Sequence, residues 1–248
     1  MVNVPPTSVP RTLKAALAMA VLGCASGNAW AQYSPSHERV PFRYERSVAA
    51  PITSYFKPLA IGAMLTVWSL RYDLTSNSRF ARGFWETDLV DVGDAYGNGG
   101  YLSAMGAGFW GLGTVLGDTA MRHTGQAVLT GMLLDGICVT SLKLATQRER
   151  PDGSDRRSFP SGHTSGAWTV STILARRHGP MVGVPAYTLA SLTAVARMED
   201  SRHYLSDVIA GATIGFVIGR IVTRHHTEAG LPLSAQFDGR RASFGLAF

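Results

Sequence analysis

The chain has 248 residues, of which 46% are hydrophobic and only 16% charged, with a net charge of +6. This suits one domain with ample apolar surface for a core, and so mild a charge gives no ground for a nucleic-acid partner. Two cysteines, Cys24 and Cys138, exclude a disulfide-dense scaffold, and neither has zinc-ligand spacing.

The first 31 residues read as an export signal. Arg11 and Lys14 supply the positive start, Ala15 to Cys24 the short apolar run, and Ala29 to Ala31 a small-x-small cleavage form, so the mature chain is expected to begin at Gln32. Lipidation at Cys24 is the second route. Residues 32–56 are polar and hold several Pro and Tyr, the mark of an irregular arm. An apolar stretch over 57–72 predicts a short helix. Thr75 to Gly100 is rich in Asp, Asn and Gly and reads as a loop with one short helix near Trp85. Asp88, Asp91 and Asp94 in that loop do not match an EF-hand and are read as turn residues rather than metal ligands.

From Tyr101 the pattern is helical nearly throughout, over roughly 101–119, 125–146, 162–177, 181–196 and 204–223, with Gly, Pro or charged residues between. Cys138 lies in one of these apolar runs and reads as a buried, inert thiol. The fold class is therefore all-α, a bundle of about six core helices spanning 57–226. The segments are short for crossing a bilayer and mean hydropathy is only +0.07, which favours an exported protein of the periplasm, soluble or at most peripherally associated with a membrane, over an integral inner-membrane one. In the tail, 227–248, an Asp238-Gly239 turn between two alternating runs signals a short β-hairpin. His225 and His226 suit the end of a helix dipole better than a ligand role.

Three clusters carry chemistry. Lys143 and Arg150 are seven apart, two helical turns, with Pro151 to stop the helix. Pro160-Ser161-Gly162-His163 places a cap, a small residue and an imidazole at a helix start, where unpaired N–H groups favour an anion. Arg197, His203 and Asp207 follow. Asp200 or Ser201 would cap a new helix carrying His203 and Asp207 four apart on one face, where the carboxylate orients the imidazole.

Together, Lys-x6-Arg-Pro, Pro-Ser-Gly-His and Arg-x5-His-x3-Asp resemble the three-part signature of the type 2 phosphatidic acid phosphatase superfamily, which also holds bacterial acid phosphatases and vanadium haloperoxidases. Ala196 stands where that signature usually has Ser, and only eight residues, Asp152 to Phe159, separate its first two parts. The resemblance implies a phosphatase acting on lipid phosphates or small phosphate esters. His203 would be the nucleophile, Asp207 its orienting partner and His163 the acid and base. Lys143, Arg150, Ser161, Gly162 and Arg197 would bind phosphate. No cofactor or metal is implied; vanadate would inhibit, or serve as cofactor were the chain a haloperoxidase instead. A catalytically silent envelope module of the same fold is the other alternative.

Overall fold

The computed structural model describes residues 53–80, 88–228, 233–237 and 242–246. The expected signal, nearly all of the arm, Trp85 and the Asp238-Gly239 turn lie outside the described residues. So do the side chains of Asp88, His225 and His226. Eight α-helices are present among the described residues: α1 Thr53–Ser69, α2 Asp73–Phe80, α3 Asp88–Tyr96, α4 Gly99–Leu116, α5 Thr119–Thr146, α6 Gly162–His178, α7 Pro180–Glu199 and α8 Leu205–Glu228. A 3-10 turn, Leu70–Tyr72, joins α1 to α2. Six of the helices are long, so the all-α bundle expected from the periodicity is what forms. Strands β1 Leu233–Phe237 and β2 Ala242–Leu246 pair antiparallel, with Leu233 opposite Leu246 and Phe237 opposite Ala242. This is the expected hairpin.

Helix α6 is the axis of the bundle, packed by α4, α5, α7 and α8. Every residue from Thr164 to Leu174 except Trp168 is buried. Its apolar side, with Val170, Ile173 and Leu174, meets Phe109 of α4, Val128 of α5 and Val182 of α7 in one core. Its polar side is satisfied internally, as burial requires. The Ser165 hydroxyl donates to Asp135 of α5, and Ser171 donates to the Ala186 carbonyl at 2.8 Å. Helix α8 reaches α6 through a stripe of small residues. A Cβ at Gly211 would lie 2.5 Å from the Ser161 carbonyl oxygen, and one at Gly215 would overlap that of Ser165. Only glycine at these two positions lets the two backbones approach so closely.

Local signals set the breaks. Helix α4 ends on Gly117 in the left-handed region (φ 70°), and Asp118 caps α5 by accepting the Met121 amide at 2.9 Å. The Asp/Asn/Gly-rich stretch over 75–100 holds more helix than its composition suggested. Residues to Phe80 continue α2, Asp88–Tyr96 forms α3, and Asn98 caps α4 by accepting the Gly100 and Tyr101 amides. Helix α3 is fixed against α7, where the Thr193 hydroxyl donates to the Gly93 carbonyl, and this tertiary contact overrides the weak local propensity.

Candidate active site

The site lies where α5 ends, α6 begins and α7 passes to α8. Helix α5 stops at Thr146, with Gln147 left-handed as its cap (φ 44°). Arg150 is therefore in the connecting loop, not two turns along a helix from Lys143. What brings the two cations together is the return of the loop. Lys143 Nζ donates to the carbonyl of Arg157, and a Cβ on Gly162 would stand 4.0 Å from Lys143 Cε. Helix α6 then starts on Ser161, whose hydroxyl oxygen accepts the Thr164 amide at 3.4 Å. His163 sits on the first turn of α6.

The second imidazole is placed differently from expectation. Asp200 and Ser201 do not cap α8; they close α7, the Asp200 amide donating to Ala196 and that of Ser201 to Met198. His203 precedes α8, its amide donating to the Arg197 carbonyl at 3.1 Å. Helix α8 opens after Tyr204, and Asp207 on its first turn folds back to accept the Tyr204 amide at 2.9 Å, a capping-box geometry. His203 and Asp207 still meet, Nδ1 to Oδ2 at 3.7 Å, both almost fully buried. That is ion-pair range, longer than a hydrogen bond. His203 Nδ1 has no other protein partner. Its far nitrogen, Nε2, lies 3.5 Å from Arg150 Nη1.

The remaining members hold carboxylates. Arg150 Nε is 2.7 Å from Asp155, whose carboxyl that contact keeps below its usual range. Arg197 forks between Asp94 and Asp200, while its buried Nε is unpartnered. Asp94, considered from sequence beside Asp88 and Asp91, is thus an arginine's partner, and no group of three or more metal-type side chains occurs among the described residues. Burial, seconded by the Arg197 charge, pushes the His163 imidazole down to about 4. Burial also lowers His203, against the opposing pull of Asp207. Both rings are neutral at pH 7.

Sequence reasoning missed the groups behind Asp207. Arg148, inside the spacer of the first motif, donates to Asp207 Oδ1 at 2.7 Å, to Ser206 Oγ at 2.6 Å and to Asp73 Oδ2 at 2.6 Å. The Ser158 hydroxyl donates to Asp207 Oδ2. Arg148 stood two residues from Arg150, but nothing in its spacing distinguished it from a solvated cation. Asp73 carried no signal at all. Cys138 proves only half-buried.

Fold and site define an all-α protein whose bundle ends in a cluster of arginines, a lysine and two histidines. Residues 152–230 match the model of the PAP2 superfamily, in agreement with the resemblance of the three motifs to the type 2 phosphatidic acid phosphatases. The matched stretch contains Ser161, Gly162, His163, Arg197, His203 and Asp207, with Lys143 and Arg150 just ahead of it. The lipid A 1-phosphatase of Porphyromonas gingivalis is 31% identical over 171 residues, covering 66% of this chain and 36% of that protein. The probable diacylglycerol pyrophosphate phosphatase 1 of Schizosaccharomyces pombe is 29% identical over 165 residues, 46% of this chain and 59% of that one. The chain thus spans less than two thirds of either relative. The crystal structure of Aquifex aeolicus LpxE aligns with 26% identity and a TM-score of 0.39, over 50% of this chain and 86% of that one.

Proposed function

We propose that this chain is a membrane-associated phosphatase that removes a phosphate group from a lipid through a phosphohistidine. The observation that carries the reading is His203 itself: a neutral, nearly buried imidazole with Asp207 at one nitrogen and Arg150 at the other. Nε2 would attack phosphorus while the bond from phosphorus to the ester oxygen breaks. Asp207 at Nδ1 orients the ring and balances the positive charge it gains. Lys143, Arg150 and Arg197 supply cations for the phosphoryl oxygens. The start of α6, capped by Ser161, adds N–H donors, that of Gly162 among them.

His163 would protonate the departing alkoxide. It takes up that proton from solvent as the substrate binds: a phosphate dianion beside the ring favours the imidazolium that burial disfavours in the empty site. In the second step neutral His163 takes a proton from water. The resulting hydroxide attacks phosphorus, the N–P bond breaks and His203 is regenerated. The charge is handled by this chain's own cations, and no step calls on a metal.

The substrate class rests on the outer surface and on relatives named for lipid phosphates. Leu133, Ile137 and Leu144 of α5, Val115 and Leu116 of α4 and Met64 and Val67 of α1 are all exposed. An apolar surface of this extent fits a lipid environment. Helix α5 and residues Leu205–Arg224 of α8 are each long and apolar enough to cross a membrane. These faces favour the integral alternative over the soluble periplasmic one; the site, at the end of the bundle, would meet a headgroup at the membrane surface.

The test is phosphate release by the detergent-purified full chain from phosphatidic acid, phosphatidylglycerol phosphate, undecaprenyl diphosphate, lipid A, nucleotides and p-nitrophenyl phosphate. Hydrolysis of a lipid phosphate that survives EDTA, is blocked by vanadate, and falls by about three orders of magnitude or more in His203→Ala is expected. Residual activity within tenfold in that variant would overturn the nucleophile. Loss on chelation with recovery on adding a divalent cation would overturn the metal-free mechanism. Bromide oxidation with vanadate and peroxide, without hydrolysis, would replace the function with the haloperoxidase.

A further inference from the structure

Behind the histidine and its aspartate stands a second layer that no motif marks. The Asp207 carboxylate is fully buried, and each of its oxygens is committed. Oδ2 accepts from Ser158 Oγ and the Tyr204 amide and faces His203, while Oδ1 accepts from Arg148. Arg148 does not belong to Asp207 alone. Its other terminal nitrogen donates to Asp73 Oδ2, and its Cζ lies 4.3 Å from the centre of the Tyr204 ring. Asp73 in turn accepts the Ser206 amide at 2.9 Å and the Ser206 hydroxyl at 2.7 Å. One guanidinium is shared between two buried carboxylates contributed by segments far apart in the chain.

The sharing has an electrostatic consequence. If Arg148 served Asp207 alone, the pair would be neutral and would offer His203 little charge. With Asp73 drawing on the same cation, the trio carries one net negative charge, and the oxygen facing His203 keeps its attraction for a positive ring. We infer that Arg148 and Asp73 are positioning residues that set the charge Asp207 presents to His203. The inference rests on His203 acting as the proposed nucleophile. The other groups facing His203 are cations or neutral: Lys143 from α5, Arg150 from the connecting loop and His163 from α6. On α7, Arg197 is tied to Asp94 and Asp200. Asp207 is therefore the anion that balances a charged His203, and its strength is set from behind.

The test uses kcat/KM against pH for Asp73→Asn, Arg148→Gln and the double variant, in the detergent-purified full chain with p-nitrophenyl phosphate. Asp73→Asn keeps an acceptor for the Ser206 amide but leaves Arg148 to neutralise Asp207. Its kcat is expected to fall about tenfold at little change in KM, and its acid limb to move to lower pH. Arg148→Gln leaves two carboxylates without their cation, and its acid limb is expected to move to higher pH. The double variant restores one net negative charge, so its limb should return toward that of the parent. Should Arg148→Gln fail to fold, the double variant and Arg148→Lys carry the comparison. A purely structural staple predicts the reverse pattern: limbs unmoved and the double variant less stable than either single one. That result would overturn the inference. His203→Ala in the same assay separates the two levels: if it is active, the nucleophile is wrong, and if it is dead while the limbs stay fixed, only the charge-setting role is wrong.

Discussion

The amide of Ser161 donates to the backbone carbonyl of Asp207 at 3.0 Å, so the cap of α6 and the first turn of α8 are held as one unit. His163 lies two residues beyond one partner and His203 four before the other. The two imidazoles are thereby registered to each other by backbone, not by their own side chains. Whatever holds α6 against α8 therefore holds the site.

Gly215→Ala is expected to test this directly. The new methyl group would overlap the Ser165 carbonyl and stand 2.8 Å from the Thr169 amide nitrogen, both backbone atoms that have nowhere to go. Such overpacking costs about 1–3 kcal/mol, and at this chain length each kcal/mol lowers the melting midpoint by about 2–4 °C. Activity should fall with it, because the separation of α6 from α8 carries the two histidines apart. Gly136→Ala is the control, since no atom lies within 4 Å of its added methyl; it should be neutral or slightly stabilising. A Gly215→Ala midpoint equal to that of the control would show that the helices can separate without loss.

Arg197→Lys should lose activity while the fold is kept. Arg197 uses both terminal nitrogens on Asp94 and Asp200 and keeps a buried Nε without a protein partner. Lysine carries the charge but cannot span two carboxylates and still offer a donor to phosphate. A drop in kcat/KM of about 10–100-fold is expected, with a melting midpoint close to the parent, since both carboxylate partners are substantially exposed and such pairs contribute little to stability. Unchanged kinetics would remove Arg197 from the phosphate-binding set.

Stability should fall on acidification, and His163 should account for part of it. Its ring titrates near 6.5 when unfolded and is pushed down to about 4 in the fold, chiefly by burial. The unfolded chain therefore binds that proton first. The contribution of His163 is intact above pH 6.5 and is lost progressively as the pH falls toward 4. His203 is also lowered and titrates in the same direction, so the informative quantity is the difference between the parent and His163→Gln. The variant should lose less of its melting midpoint between pH 7 and pH 4.5. Inorganic phosphate should narrow that difference, because an anion beside the ring restores its affinity for a proton. Identical pH profiles in the two proteins would show that His163 is not the buried group responsible.

How far these residues were legible beforehand follows a physical pattern. Signals written in adjacent residues read correctly: Ser161 before Gly162-His163 is a cap, and the two alternating runs of the tail pair as strands. The bundle also draws Lys143, Arg150, His203 and Asp207 together. The geometry inferred from their spacing did not hold. Arg150 lies past the end of α5 and His203 ahead of α8, because Gln147 and the turn at Ser201 each adopt a left-handed backbone that sequence pattern did not announce. Partnerships across long separations were invisible. Asp73 meets Ser206 over 133 positions and Asp94 meets Arg197 over 103, and one carboxylate in a polar stretch looks like any other until the bundle closes.

The last prediction concerns the medium around the bundle. The sequence weighed toward a soluble protein because several apolar segments read as 15 to 17 residues and mean hydropathy is near zero. Helix α5 in fact runs 28 residues from Thr119 to Thr146, about 42 Å at the rise of an α-helix, longer than the ~30 Å hydrocarbon core. Only 28% of its most apolar window is buried by the rest of the fold, whereas 56% of that in α8 is. In water, Leu133 and Ile137 on α5 would stand about three fifths exposed beside Leu134, and Val115 of α4 more so. Lipid removes that penalty, at about 25 cal/mol for each Å² of apolar surface withdrawn from water. The full chain is therefore expected to sediment with membranes, to resist carbonate extraction and to enter solution only with detergent. N-terminal sequencing of the same product tests cleavage after Ala31. Recovery in the soluble fraction without detergent would show that another partner covers these faces, and the case for a lipid substrate would then rest on the site alone.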